Sequence, residues 1–187
     1  MTSAPAEPPG QGRAESARLV CTRVFDAFAH GDLAAFQAIF HPDAVNRESD
    51  NQPPAARQSG PSAFYATALW LREALADMHW ELNEVVTQGD LIVTHTTGHA
   101  RQTGPFVFYD SAGQVEQVFP PTGRATSDTQ THWFRIADGK VIEHWANRDD
   151  MGMARRLGWI PPSPRYLLRM ALAKRQARRT GKALPAA

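Results

Sequence analysis

Three polar residues at alternate positions, Asp128, Gln130 and His132, precede AspGly at 138–139, and Trp145, Asn147 and Asp149 follow it at the same spacing. Alternate residues of a strand share a face, so each trio points one way. If AspGly forms a two-residue turn, Ala137 pairs with Lys140. His132 then falls opposite Trp145, Gln130 opposite Asn147 and Asp128 opposite Asp149, all on one face. A three-residue turn instead sets Gln130 opposite Ala146, and only the parity within each strand survives.

This set suits proton transfer at a carbon next to a carbonyl. Asp149 supplies an acid or base, and an apolar cavity would raise its pKa by penalising the charged form. His132 is a second titratable group, Gln130 and Asn147 are amide donors for a developing oxyanion, and Trp145 is an aromatic wall. The same residues have plainer uses. Asp149 can cap a helix starting near Met151, His132 can be a satisfied core histidine, and pattern alone ranks these uses at least equal. His95 and Tyr65 are further candidates to touch a ligand, although Tyr65, Trp70 and Phe64 share a helix on which aromatics are more often core. His41 and Asp43 read as a helix stop.

Other chemistries lack their residues. His95, His132 and His144 come from different strands and match no zinc spacing, so no metal is expected. ProThrGlyArg at 121–124 lacks the lysine and serine of a phosphate loop, no Rossmann glycine triplet follows a strand, and no nucleophile elbow occurs. The single cysteine, Cys21, excludes an internal disulfide and reads as a small buried residue. No cofactor is implied.

The elements that must position these groups follow from periodicity. Residues 1–13, rich in Pro, Ala and Gly, read as disordered. Leu19, Val20, Val24, Phe25 and Phe28 mark a helix over about 14–30 that stops at Gly31. Asp32 caps a second helix, with Leu33, Phe36 and Phe40 facing inward, which ends at HisProAsp 41–43. Residues 49–61 form a polar loop, and Pro61 starts a third helix reaching about Asp77. The period then changes to alternation: strands over 80–87 and 91–101 flank GlnGlyAsp, a hairpin excursion falls in 102–124, and two strands over 125–136 and 141–149 flank AspGly. A short helix over 151–157 and a basic C-terminal helix close the chain. Helices followed by a strand meander give an α+β fold, with a curved, mainly antiparallel sheet wrapped around the N-terminal helices into a cone whose mouth is the ligand pocket.

Length and composition agree with one folded domain. The chain has 187 residues, 42% hydrophobic and 21% charged, with net charge +1. Seven of the 20 basic residues lie after Pro164, where no acid occurs, which leaves 13 against 19 acids, a net −6, over 1–164. An acidic body argues against nucleic acid as partner, while the basic tail could meet an acidic partner or surface. No run is long enough to span a membrane, and the N-terminus lacks a secretory pattern, so a cytoplasmic protein is expected.

PheProProThrGlyArg (119–124), GlnThrHisTrpPheArgIle (130–136), AspGlyLysValIleGluHisTrp (138–145) and AsnArgAspAspMetGlyMetAlaArgArgLeuGly (147–158) together resemble the SnoaL-like polyketide cyclases, an ester cyclase group of the nuclear transport factor two-like superfamily. GlyAspLeuIleValThrHisThrThrGlyHis (89–99) and HisGlyAspLeuAlaAlaPhe (30–36) fit as well. The likeness covers 14–158 and implies a cone-shaped α+β barrel, a homodimer through the outer face of the sheet, no cofactor or metal, and aldol-type ring closure of a hydrophobic carbonyl compound. It also implies that His132 and Asp149 carry the acid/base and oxyanion roles. Where many relatives have an aspartate after the motif tryptophan, this chain has Ala146, which would remove the chemistry if that position carries it. The 102–118 segment is longer than in a minimal member and would lid the pocket, and the helix after Pro164 has no counterpart in the small cyclases. Two alternatives stand beside ring closure. One is hydrolysis of an epoxide by two carboxylates and an arginine, with Asp128, Asp149 and Arg148 as candidate types. The other is a non-catalytic, dimerising domain that binds a small ligand or docks by its tail.

Overall fold

The computed structural model describes residues 11–180. Helix α1 (Gln11–His30) begins within the segment expected to be disordered, whose first ten residues lie outside the described part. Helix α2 (Leu33–Ile39) starts at Asp32, whose carboxylate accepts from the Ala35 N–H at 3.0 Å. The chain then turns straight into β1 (Phe40–Asn46), a strand absent from the sequence reading, which ran α2 on to Phe40 and ended it with a polar break. Helix α3 (Pro61–Ala74) is three residues shorter than expected, and β2 (Leu75–Gln88) takes over its end. Strands β3 (Leu91–Gln102), β4 (Phe106–Tyr109), β5 (Val115–Phe119), β6 (Ala125–Ala137) and β7 (Lys140–Arg148) follow, then α4 (Asp150–Arg156) and α5 (Pro164–Thr180).

Five strands make one curved, open sheet in the order β1-β7-β6-β3-β2, antiparallel except for β1, which runs parallel to β7 at the edge. An edge position tolerates Pro42, which has no N–H to give to a ladder. The β4–β5 hairpin stands apart from this sheet.

The helices close the concave side. Cys21, Val24 and Phe25 of α1, Phe36 of α2, Phe40 of β1, Phe64 of α3 and Phe134 of β6 form one buried cluster. Burial pushes the Cys21 thiol up to about 12, so it behaves as a small apolar group. Tyr65 packs against the same cluster, with its ring 5.5 Å from Phe36. At the far end of α1, the Arg72 guanidinium donates to the carbonyls of Phe28 (2.9 Å) and Ala27; the Ala27 carbonyl also takes the Gly31 N–H, so Arg72 supplies the missing partner of Phe28.

A second buried cluster joins α3, the β4–β5 hairpin and the C-terminal segment. Trp70 Nε1 donates to the Val107 carbonyl at 2.7 Å. Gln102, fully buried at the end of β3, donates to the Phe119 carbonyl at 2.9 Å and accepts from Trp159 Nε1 at 3.0 Å. The basic tail therefore has a structural task. In α5, Tyr166 is buried and its hydroxyl donates to the Pro120 carbonyl at 3.0 Å, while Arg169 and Arg178 donate to the carbonyls of Pro121 and Val115. No helix among the described residues is long and apolar enough to cross a membrane.

Removing the Tyr166 ring leaves a cavity under the hairpin and an unpaired carbonyl. Tyr166→Ala should cost about 3 kcal/mol in denaturant unfolding, the scale of large-to-small core replacements. A loss no larger than that of an exposed Leu168→Ala control would show that α5 does not brace the hairpin.

Candidate active site

The closing hairpin decides what faces the cavity. Asp138 and Gly139 both have positive φ, 50° and 74°, as a two-residue hairpin turn requires, and Ala137 pairs with Lys140 as the sequence predicts. One turn later the register shifts: Ile136 pairs with Val141 but Arg135 pairs with Glu143, so Ile142 is an extra residue in β7. Beyond this bulge His132 faces Ala146 and Gln130 faces Arg148. His144 and Ala146 turn inward. Trp145 and Asn147, expected inside with Gln130 and His132, turn to the outer face, where Trp145 stacks on Trp133 at 5.8 Å and lies under Arg47. His95 is also on the outer face, exposed, 3.5 Å from the Thr131 hydroxyl. Tyr65 is core, as above. Thus of the expected ligand contacts, Gln130 and Asp128 line the cavity, and Trp145, Asn147, His95 and Tyr65 do not.

The cavity encloses about 410 Å³. One wall is aromatic, with Trp70, Phe106, Phe108, Phe119 and Trp159 brought by α3, the hairpin and the C-terminal segment. Trp159 stacks on Phe119 at 4.2 Å, and Phe106 stands edge-on to Trp70 at 4.8 Å. The 102–118 excursion therefore builds part of the pocket wall.

The opposite end is polar. Trp80 Nε1 donates to Gln130 Oε1 at 3.0 Å, and His132 Nε2 lies 2.8 Å from that oxygen. His132 Nδ1 lies 3.0 Å from His144 Nε2, and His144 Nδ1 lies 3.0 Å from Asn46 Oδ1. Gly98 makes room for this end: a Cβ there would stand 2.8 Å from Gln130 Nε2 and 2.9 Å from Trp80 Nε1.

The proton inventory of this chain is short by one. Asn46 Oδ1 also accepts from the Glu48 N–H at 3.2 Å, so His144 gives its Nδ1 proton to Asn46. A neutral His144 then accepts at Nε2 from His132 Nδ1–H, and a neutral His132 turns a lone pair towards Gln130 Oε1, already an acceptor. A further proton would repair the contact, but burial opposes it. Burial first, then the nearby charges of His144 and Arg148, holds His132 well below the usual imidazole range; burial, then Arg148, holds His144 at about 3. Both rings are neutral near pH 7.

Carboxylates collect at the mouth. Asp128, 4% exposed, accepts from the Thr126 hydroxyl and from Arg156 Nε at 2.9 Å and Nη2. Arg156 Nη2 also reaches Asp149 Oδ2 at 3.2 Å. Asp149 lies just past β7 as the N-cap of α4, accepting from the Gly152 N–H at 2.9 Å, and its side chain is 47% exposed. The expected desolvated carboxylate is not found there. The Gly152 N–H and then the Arg156 guanidinium hold Asp149 below the usual carboxylate range. Arg156, which supplies that guanidinium from α4, carries no signal in the sequence beyond its place in a short helix. Among the described residues no group of three or more His, Cys, Asp or Glu could hold a metal ion.

The model of the SnoaL-like polyketide cyclases matches residues 18–157. The chain belongs to that family. It is 32% identical over 146 residues to the aklanonic acid methyl ester cyclase DauD of Streptomyces sp. strain C5, covering 76% of this chain and 81% of that protein. It is 29% identical over 143 residues to the aklanonic acid methyl ester cyclase DnrD of Streptomyces peucetius, covering 76% and 90%. Among solved structures, TsrD of Streptomyces laurentii superposes with a TM-score of 0.62 at 23% identity, over 77% of this chain and 96% of TsrD, a likeness of fold.

Two neutral buried imidazoles make stability depend on pH. Their folded pKa values lie below the unfolded value of about 6.5, so below that pH the unfolded chain binds protons that the folded one does not. Stability should fall as pH drops from 6.5 towards 4.5, by up to about 1.4 kcal/mol per unit for each ring. His144→Asn should roughly halve the slope. A flat stability between pH 7 and 5 in urea titrations would mean that the rings are not buried neutral.

Proposed function

We propose that this chain closes a ring of a polyketide-like carbonyl compound by an intramolecular aldol-type step, with no bound cofactor. The observation that carries this reading is the cavity's division into an aromatic wall and a polar end that holds Gln130 and two neutral imidazoles. The wall suits a fused-ring substrate, and the relatives named for cyclising aklanonic acid methyl ester give the substrate class its first candidate.

Ring closure needs an oxyanion donor where the accepting carbonyl gains charge. Gln130 fits this role: its Oε1 accepts from Trp80 Nε1, and its Nε2 has no protein acceptor among the described residues, leaving that N–H for a substrate oxygen. His132, with Nδ1 at His144 and Nε2 against Gln130 Oε1, packs beside that amide and acts as a positioning residue. Asp149, bound to the α4 backbone and Arg156, serves as the anchor of the rim and not as the base. The same proposal includes a homodimer through the outer sheet face, where Trp133 and Trp145 stack; sedimentation of wild type against Trp145→Glu would test it.

Purified protein should convert aklanonic acid methyl ester or nogalonic acid methyl ester to the ring-closed product, seen by mass-neutral chromatographic shift. Gln130→Ala should lower kcat by about 10²–10³, the range for loss of one oxyanion donor. Asp149→Asn, which retains a capping side chain, should change kcat less than tenfold. A larger loss would return Asp149 to the role of base.

One observation favours a second reading. Asp128, Arg156 and Asp149 place two carboxylates on one guanidinium at the cavity, the residue types that epoxide opening by water requires, with Arg156 in the place proposed for Arg148. Arg148 instead pairs with Glu48 and Asp150. Formation of a diol from a cyclic epoxide, abolished by Asp128→Asn, would promote it over ring closure.

A further inference from the structure

The ring-closing reading leaves the α-proton without an acceptor. His132 points Nδ1 at His144 Nε2 and Nε2 at Gln130 Oε1, Asp128 is held by Arg156 and Thr126, and Asp149 caps a helix. Glu48 lines the same cavity from the turn after β1. Its Oε1 accepts from the Ala146 N–H and its Oε2 meets Arg148 Nη2, each at 3.3 Å, long contacts that leave lone pairs open. Those two partners are the residues opposite His132 and Gln130 across the bulged hairpin. The carboxylate therefore lies against β7, the strand next to the one that carries the oxyanion donor, beside buried Ala146, and its side chain is 24% exposed.

The backbone of Glu48 is held as a catalytic group needs. Its N–H donates to Asn46 Oδ1, the oxygen that orients His144. Its carbonyl accepts from Gln52 Nε2 at 2.9 Å, and Gln52 Oε1 in turn accepts from the Thr67 hydroxyl of α3 at 2.6 Å. The Arg47 N–H donates to the His144 carbonyl at 3.0 Å. One side chain, Asn46, thus fixes both the imidazole pair and the carboxylate.

We propose that Glu48 is the general base of this site, taking the proton from the carbon between two carbonyls of the substrate. This rests on the ring-closing reading. The carboxylate oxygen binds the proton, and the C–H pair becomes the enolate π bond. The enolate carbon then attacks the second carbonyl carbon, whose π pair moves to the oxygen held by Gln130. The resulting alkoxide takes the proton back from Glu48, so the product is an isomer of the substrate and the enzyme is restored.

Glu48→Gln keeps an acceptor for the Ala146 N–H and removes the basic oxygen. With aklanonic acid methyl ester or nogalonic acid methyl ester as probe, kcat should fall about 10²–10⁴-fold with KM changed less than threefold. Exchange of the substrate's α-proton with D2O should fall alike, and the melting temperature should hold. Glu48→Gln combined with Ala146→Asp, which returns a carboxylate to the neighbouring position, should recover at least tenfold of the loss. Unchanged turnover and exchange in Glu48→Gln, beside an active wild type, would overturn the role of Glu48 and leave the ring-closing reading intact. Exchange without closure in the wild type would sink ring closure while still judging Glu48 by its variant. A wild type that neither closes nor exchanges either probe would remove both.

Discussion

A single extra residue in β7, Ile142, sets which chemistry this cavity can hold. Without the bulge, the pattern on either side of AspGly would turn Trp145 and Asn147 inward and send His144 out, because side chains in a strand alternate with period two. With it, two imidazoles and the Ala146 methyl line the concave face, and the indole of Trp145 joins Trp133 outside. The bulge also brings Arg148 opposite Gln130 and onto the cavity, where it pairs with Glu48. The contacts that His144 and Arg148 make at the cavity descend from that one insertion.

Burial and pairing then set the charge of each ionisable group. The imidazoles lie deep, where their charged forms are costly, so they stay neutral and serve as linked hydrogen-bond donors and acceptors. The carboxylates keep company with guanidinium groups: Arg156 compensates Asp128 and Asp149, and Arg148 faces Glu48. Such pairing keeps an unpaired charge out of the apolar interior.

The sequence made the fold legible because its strongest local signals were independent of tertiary context. AspGly fixed the hairpin, Asp32 capped α2, Pro61 opened α3, and alternation marked β3 and β6. Within β6 the parity of Asp128, Gln130 and His132 was readable for the same reason. Three things were not. The strand β1 contains HisPro and pairs with β7 from far away in the chain, so no local alternation announces it. The bulge at Ile142 depends on packing within the sheet, and nothing in ValIleGluHis distinguishes it from a regular strand. Arg156 and Glu48 sit in a short helix and a turn, and their partners lie 28 and 98 positions away.

The two halves of the cavity are built to different standards of rigidity, and this bears on what each can decide. The polar end rests on the five-stranded sheet and on side chains that bond one another in a continuous series from Trp80 to Asn46. The aromatic end rests on a separate two-stranded hairpin, held by Gln102, Trp70 and the braces of α5. A two-stranded ribbon is marginal alone, so its position follows what packs against it. Catalytic geometry needs tolerance of a fraction of an ångström, whereas accepting a substrate of a given ring number needs only a wall at the right distance. On the proposed reading, substitutions at Phe106, Phe108 or Phe119 change substrate size while the Gln130–His132–His144 series stays in register.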